Sequence, residues 1–190
     1  MQFLIEVLGY CEKDIILVGR SMGSGPACAL ATEYTHISAL ILLSPYTSLR
    51  QVAKSFIGTL ASLFVRERFE NLKLIEKVRC PTLIIHGQAD ELIPDSHAIQ
   101  LYETCGGPSK LIMPEGMTHN EFSMQKDIIK PMEQFFVESN VIPTVTEGNI
   151  CKVDREMANP PSSIVEMASQ KDKDVLKQLI AQRKEAEKAK

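Results

Sequence analysis

The sequence predicts an α/β fold, a parallel β-sheet flanked by helices, with a helical or disordered C-terminal tail. Three observations carry that prediction. Short continuous apolar runs rich in β-branched residues recur along the first 140 residues, as strands buried on both faces require. Segments of helical spacing separate these runs, the alternation that builds a parallel sheet. Glycines follow two of the runs, Gly19 and Gly87, and punctuate them as strand ends.

Taken in order, Ile15 to Val18 is the first predicted strand, and Ser24 to Tyr34 is small and helix-compatible. Ile37 to Leu43 is the second strand, broken by Pro45 and Tyr46. From Leu49 to Val78 the period is mostly helical, with Val52, Phe56, Leu60, Leu63 and Phe64 on one stripe. Core packing explains such a stripe, and a small lid over a site is the sharper alternative. Pro81 opens the third strand, Thr82 to Ile85. Pro94 to Cys105 reads as a helix with Asp95 or Ser96 at its start. Lys110 to Met113 is a short fourth strand, and Glu121 to Glu138 the last helix. The expected organisation is one α/β domain over 1–139, a linker over 140–169 containing Asn159-Pro160-Pro161, and a charged helical tail over 170–190. Val175, Leu176, Leu179 and Ile180 give that tail one apolar stripe, read as a solvated helix or a partner-docking one.

Composition narrows the function classes. A net charge of −3 with no basic stripe argues against nucleic acid as a partner. The five cysteines are widely spaced and include no C-x-x-C, so a disulfide framework or zinc site is not expected, and no metal or other cofactor is called for. Reduced thiols, no signal peptide in Met1 to Tyr10 and no apolar run of about 18 residues point to a cytoplasmic chain.

Gly19-Arg20-Ser21-Met22-Gly23 is a G-x-S-x-G pattern between a predicted strand and a predicted helix. By chance such a pentamer turns up in about one chain in fifteen of this length, so its setting matters more than its letters. A sharp strand-to-helix turn holds a serine hydroxyl clear of the backbone, with the glycines allowing the turn. Ser21 is therefore the candidate nucleophile. The Met22 backbone N–H is the candidate oxyanion donor.

A serine hydroxyl needs an imidazole to take its proton and a carboxylate to fix that imidazole's tautomer. With this elbow the acid and then the base follow the serine in the chain, each after a strand. Of four histidines, His36 precedes a strand, His86 ends one and His97 opens a helix. His119 lies in a loop after the last strand and is the candidate base. Asp90 follows the third strand and is the candidate acid, with Glu91 and Asp95 as rivals. Asp95 is better explained as a helix cap.

Gly19-Arg20-Ser21-Met22-Gly23, Ser44-Pro45-Tyr46-Thr47-Ser48, Pro81 to Pro94 (Pro-Thr-Leu-Ile-Ile-His-Gly-Gln-Ala-Asp-Glu-Leu-Ile-Pro) and Gly116-Met117-Thr118-His119-Asn120 together resemble the α/β-hydrolase domain seventeen family. They are also similar to the serine aminopeptidase-like hydrolases. The resemblance covers roughly Glu6 to Val137 and makes 1–139 the C-terminal portion of an α/β-hydrolase fold. It implies a serine hydrolase cleaving acyl esters or thioesters, with depalmitoylation of a lipidated protein as the family's chemistry. Ser21, Asp90 and His119 match the family's nucleophile, acid and base.

Two departures from the family set further expectations. Only eighteen residues precede Gly19, which leaves no room for the upstream strands or for the His-Gly-Asn loop that gives the second oxyanion hydrogen bond. The family's lipidated N-terminal cysteines are absent too, so membrane association is expected only of a longer form. The first strand is expected to be an exposed apolar edge. The chain as written is expected to be a fragment, a truncated gene product or a degenerate copy, with activity reduced by about 10²–10³ for the lost donor. Two alternatives follow: a non-catalytic interaction protein, and an aminopeptidase-like hydrolase with an acidic pocket for a substrate amine.

Overall fold

A computed structural model describes residues 1–54 and 66–141 of the chain. Four strands form one parallel sheet in sequence order: β1 (Ile16–Arg20), β2 (Ala39–Leu43), β3 (Thr82–Ile85) and β4 (Ser109–Ile112). The helices are α1 (Ser24–Glu33), α2 (Asn71–Ile75), α3 (Ser96–Thr104) and α4 (Lys130–Glu138), and residues 49–54 are helical. In register, Gly19 pairs with Leu42, Leu42 with Ile84 and Ile85 with Ile112.

The apolar runs read as strands because both faces of the sheet are covered. Leu40, Leu42 and Ile84 point to one side, where they meet Ala27, Cys28 and Ala31 of α1, Ile75 of α2 and Leu101 of α3. Ile41, Leu83 and Ile85 point to the other, against Met117, Ile128 and Phe135. The parallel α/β sheet flanked by helices is therefore the fold the sequence predicts. β1 is one of the two edges of the four-stranded sheet, and Val18 on it is 55% exposed.

Element ends differ from the sequence reading in instructive ways. The last helix does not run unbroken from Glu121. A π-helical turn, Met124–Ile129, precedes α4, and the Lys130 N–H bonds to the Gln125 carbonyl. Pro131, in the first turn of α4, has no N–H to continue an α-helical ladder backwards. Ser123 caps that π-helical turn, its hydroxyl accepting from the Lys126 N–H at 3.2 Å. Asp95 does stand before α3, but its side chain makes no capping bond. Its carbonyl accepts from Ala98 and Ile99 instead, at 2.9 and 3.1 Å. The stripe residues Phe56, Leu60, Leu63 and Phe64 lie outside the described residues, as do the tail over 170–190 and all of the linker but Asn140 and Val141. Among the described residues no helix is long and apolar enough to cross a membrane.

Candidate active site

The carboxyl ends of β1, β3 and β4 supply the site, with β2 lying between β1 and β3. β1 delivers Ser21 directly. β3 leads through His86 and Gly87 to Asp90. β4 leads through Pro114 and Gly116 to His119.

At the elbow the backbone strain sits on the serine. Ser21 takes φ 50°, a left-handed conformation that costs an L-residue free energy unless its surroundings impose it. The surroundings do so. The Ser24 hydroxyl donates to the Ser21 carbonyl at 2.6 Å, and Asn71 of α2 donates to Ser24 Oγ at 3.0 Å and to the Tyr46 carbonyl at 2.9 Å. Ser24 and Asn71 are both fully buried. The two motif glycines prove unequal. A Cβ on Gly19 would lie 2.6 Å from the Gly23 carbonyl and 2.7 Å from Ala27 Cβ, so glycine is what lets α1 pack onto β1. A Cβ on Gly23 would meet nothing within 4 Å, and its φ of −66° suits any residue. The expectation that both glycines are needed for the turn is corrected to Gly19 alone. Met22, the candidate oxyanion donor, lies in the Ser21–Gly23 turn and is 71% exposed.

The three predicted side chains come together. Ser21 Oγ is 3.1 Å from His119 Nε2, and His119 Nδ1 is 2.8 Å from Asp90 Oδ2. A buried carboxylate accepts, so Nδ1 carries the proton and Nε2 is left to accept from the serine hydroxyl. The other carboxylate oxygen, Asp90 Oδ1, accepts the Leu92 and Ile93 N–H groups at 3.0 and 2.8 Å. Asp90 and His119 are both buried. The rivals fall elsewhere: Glu91 is exposed, Asp95 heads α3, and His36 is exposed with its backbone N–H on Glu12.

Residues that sequence reasoning passed over complete the surroundings. His86, just past the end of β3, is fully buried behind Asp90. Its Nε2 lies 2.8 Å from the Ile93 carbonyl and 3.5 Å from Asp90 Oδ2. Burial pushes its pKa below the usual value, so the ring is neutral and the longer contact is not an ion pair. His97, buried on α3, is likewise held low by burial and bonds Thr47 Oγ1 through Nδ1 at 2.7 Å. Arg20 reaches from the elbow to the His119 loop, its Nη2 donating to the His119 carbonyl and to Asn120 Oδ1. Burial also raises the thiols of Cys28, to about 12, and Cys80, to about 11, which keeps them protonated and unreactive. Among the described residues no cluster of three or more His, Cys, Asp or Glu could hold a metal. A hollow of about 440 Å³ beside α1 and α2, bordered by Ala29, Phe69, Leu74 and Lys77, includes none of these side chains.

The chain is similar to known proteins in both sequence and fold. The family model described as "Serine hydrolase (FSH1)" matches residues 15–120. The human alpha/beta hydrolase domain-containing protein 17B is 35% identical over 127 residues, 67% of this chain and 43% of that protein. The Caenorhabditis elegans protein aho-3 is 32% identical over 134 residues, 70% of this chain and 39% of that one. The chain thus spans less than half the length of these relatives. Among solved structures, Est1E from Butyrivibrio proteoclasticus superposes with a TM-score of 0.54 at 20% identity, covering 68% of this chain and 62% of Est1E. A puromycin-hydrolyzing peptidase of Mycobacterium tuberculosis superposes with a TM-score of 0.59 at 15% identity, covering 73% of this chain and 24% of the peptidase. At such identities the likeness is one of fold.

Proposed function

Because the chain belongs to the serine hydrolase (FSH1) family, within the α/β-hydrolase superfamily, we propose that it cleaves acyl esters or thioesters with Ser21 as nucleophile, His119 as base and Asp90 as its orienting acid. The observation that supports this most directly is the continuous hydrogen-bond path from Ser21 Oγ through the His119 ring to Asp90, at 3.1 and 2.8 Å.

The chemistry follows from that path. Ser21 Oγ attacks the acyl carbonyl carbon as His119 Nε2 takes its proton. Asp90 stays ionised and steadies the imidazolium through Nδ1–H. The tetrahedral oxyanion accepts from the Met22 N–H beside the start of α1, where the helix dipole favours negative charge. His119 then protonates the departing alkoxide or thiolate, leaving an acyl group on Ser21. Water, activated by the same imidazole, removes it. The resemblance to the α/β-hydrolase domain seventeen family, with 35% identity to human protein 17B, favours a long-chain acyl thioester on a protein cysteine as substrate.

A fluorophosphonate probe tests the assignment. It should label wild-type chain once, on Ser21, and should not label Ser21→Ala. Labelling that survives this substitution refutes the nucleophile. A second reading rests on the open edge of β1, where Val18 is exposed: a partner strand pairs there and the chain does no chemistry. An unlabelled wild-type chain whose binding is lost in Val18→Lys would favour that reading.

A further inference from the structure

We propose that Arg20 is a positioning residue: its guanidinium ties the loop carrying His119 to the strand end carrying Ser21, and so sets their separation. The proposal rests on the reading of Ser21 and His119 as the reacting pair.

Arg20 is the last residue of β1, one position before Ser21, and is exposed. The alternation along the strand explains its direction, since buried Gly19 faces α1 and its neighbour faces away. The guanidinium meets three features of the base loop. Nη2 donates to the carbonyl of His119 itself and, at 3.2 Å, to Asn120 Oδ1. Its Cζ stands 5.5 Å from the centroid of the Phe122 ring. Among the described residues, the hydrogen bonds that join the loop to β1 and its turn are these and the Ser21–His119 contact.

The division of labour is physical. Asp90 fixes the imidazole through its ring nitrogen and says nothing of where the backbone of residue 119 lies relative to β1. Arg20 holds that backbone carbonyl. A planar fork that donates several hydrogen bonds and also stacks on an aromatic face is the side chain suited to this triple contact. Without it, the weak hydroxyl–imidazole bond is the one hydrogen bond left, among the described residues, between the loop and β1 with its turn, and a displacement of about 1 Å at a reacting pair can cost about 10²-fold.

Two readouts on the full 190-residue chain test the proposal. Hydrogen exchange over peptides spanning 117–124 should quicken in Arg20→Ala while peptides from β2 and β3 are unchanged. Arg20→Lys, which keeps a charged donor, should recover part of that protection. In fluorophosphonate labelling, the limiting rate at saturating probe should fall by about 10- to 100-fold in Arg20→Ala, with the half-saturating concentration unchanged and Arg20→Lys in between. Unaltered exchange at 117–124 overturns the tether whatever the chain's activity. A limiting rate equal to wild type overturns its role in positioning. A wild-type chain that does not label, with a loop that loosens in Arg20→Ala, supports the tether and rejects the proposed chemistry.

Discussion

Gly87→Ala is the sharpest test of how the acid and base loops are brought together. Gly87 lies three residues before Asp90, and Met117 two residues before His119. The loops touch where the Ala89 N–H meets the Met117 carbonyl at 3.1 Å. A Cβ on Gly87 would fall 1.9 Å from that carbonyl oxygen and 2.5 Å from its carbon. The obstacle is backbone, which no rotamer change removes. An ordinary contact needs about 3.4 Å, so the loops must part by about 1.5 Å. Added to a His119–Asp90 bond of 2.8 Å, even part of that movement passes the limit of a hydrogen bond. The expected outcome is a labelling rate down by about 10²-fold and a stability loss of about 1–3 kcal/mol from overpacking. The assay is the second-order rate constant for fluorophosphonate labelling, with thermal unfolding on the same samples. Gly23→Ala is the control: it sits in the G-x-S-x-G motif, yet its added methyl meets open space and should leave both readouts near wild type. Wild-type labelling in Gly87→Ala, or equal damage in Gly23→Ala, would refute the reasoning.

Three further outcomes are expected. Asp90→Asn should lower probe reactivity by up to about 10⁴ while the chain stays folded, because the imidazole loses its orienting acceptor; Asp95→Asn should not, and Ser21→Ala, His119→Ala and their double mutant should share one residual turnover on an acyl thioester. Asn71→Ala removes the donor that Ser24 Oγ and the Tyr46 carbonyl share and should cost about 1–3 kcal/mol, measured by urea unfolding. His86 and His97 are both held below the usual histidine value of 6.5 by burial. As pH falls past that value the unfolded chain binds protons that the folded chain refuses, so stability present above it is lost, by at most about 1.4 kcal/mol per histidine per pH unit. Urea midpoints between pH 7.5 and 5 check this; a flat profile, or an unchanged slope in His97→Gln, contradicts it.

The strands were legible because burial writes itself locally. Leu40 to Leu42 and Leu83 to Ile85 are apolar at successive positions, and successive positions face opposite sides of a sheet, so both sides had to be covered. The serine was legible for a similar reason: a strand, a turn and a helix follow one another within a few residues around Ser21. Asp90 and His119 could be picked as candidates because each lies in a loop between a strand and the next helix, in the chain order serine, acid, base. The π-helical turn at Met124–Ile129 was not legible, since the spacing of apolar residues alone does not distinguish i→i+4 from i→i+5 bonding.

By itself, then, the sequence determined which segments are strands and that the sheet is parallel and covered on both faces, and it offered three side chains as candidates to act together. All of these follow from side-chain periodicity and chain order, which are properties of neighbours along the chain. The tertiary structure alone decided that Arg20 holds the His119 carbonyl, that Asn71 braces the elbow through Ser24, that Gly87 is glycine because of Met117 and that Gly23 need not be glycine. Each of these joins segments between about 30 and 100 residues apart, or turns on the space around a single atom. Contacts of that kind depend on where two backbones come to lie once the sheet has formed, and the pattern of residues within either segment does not encode it.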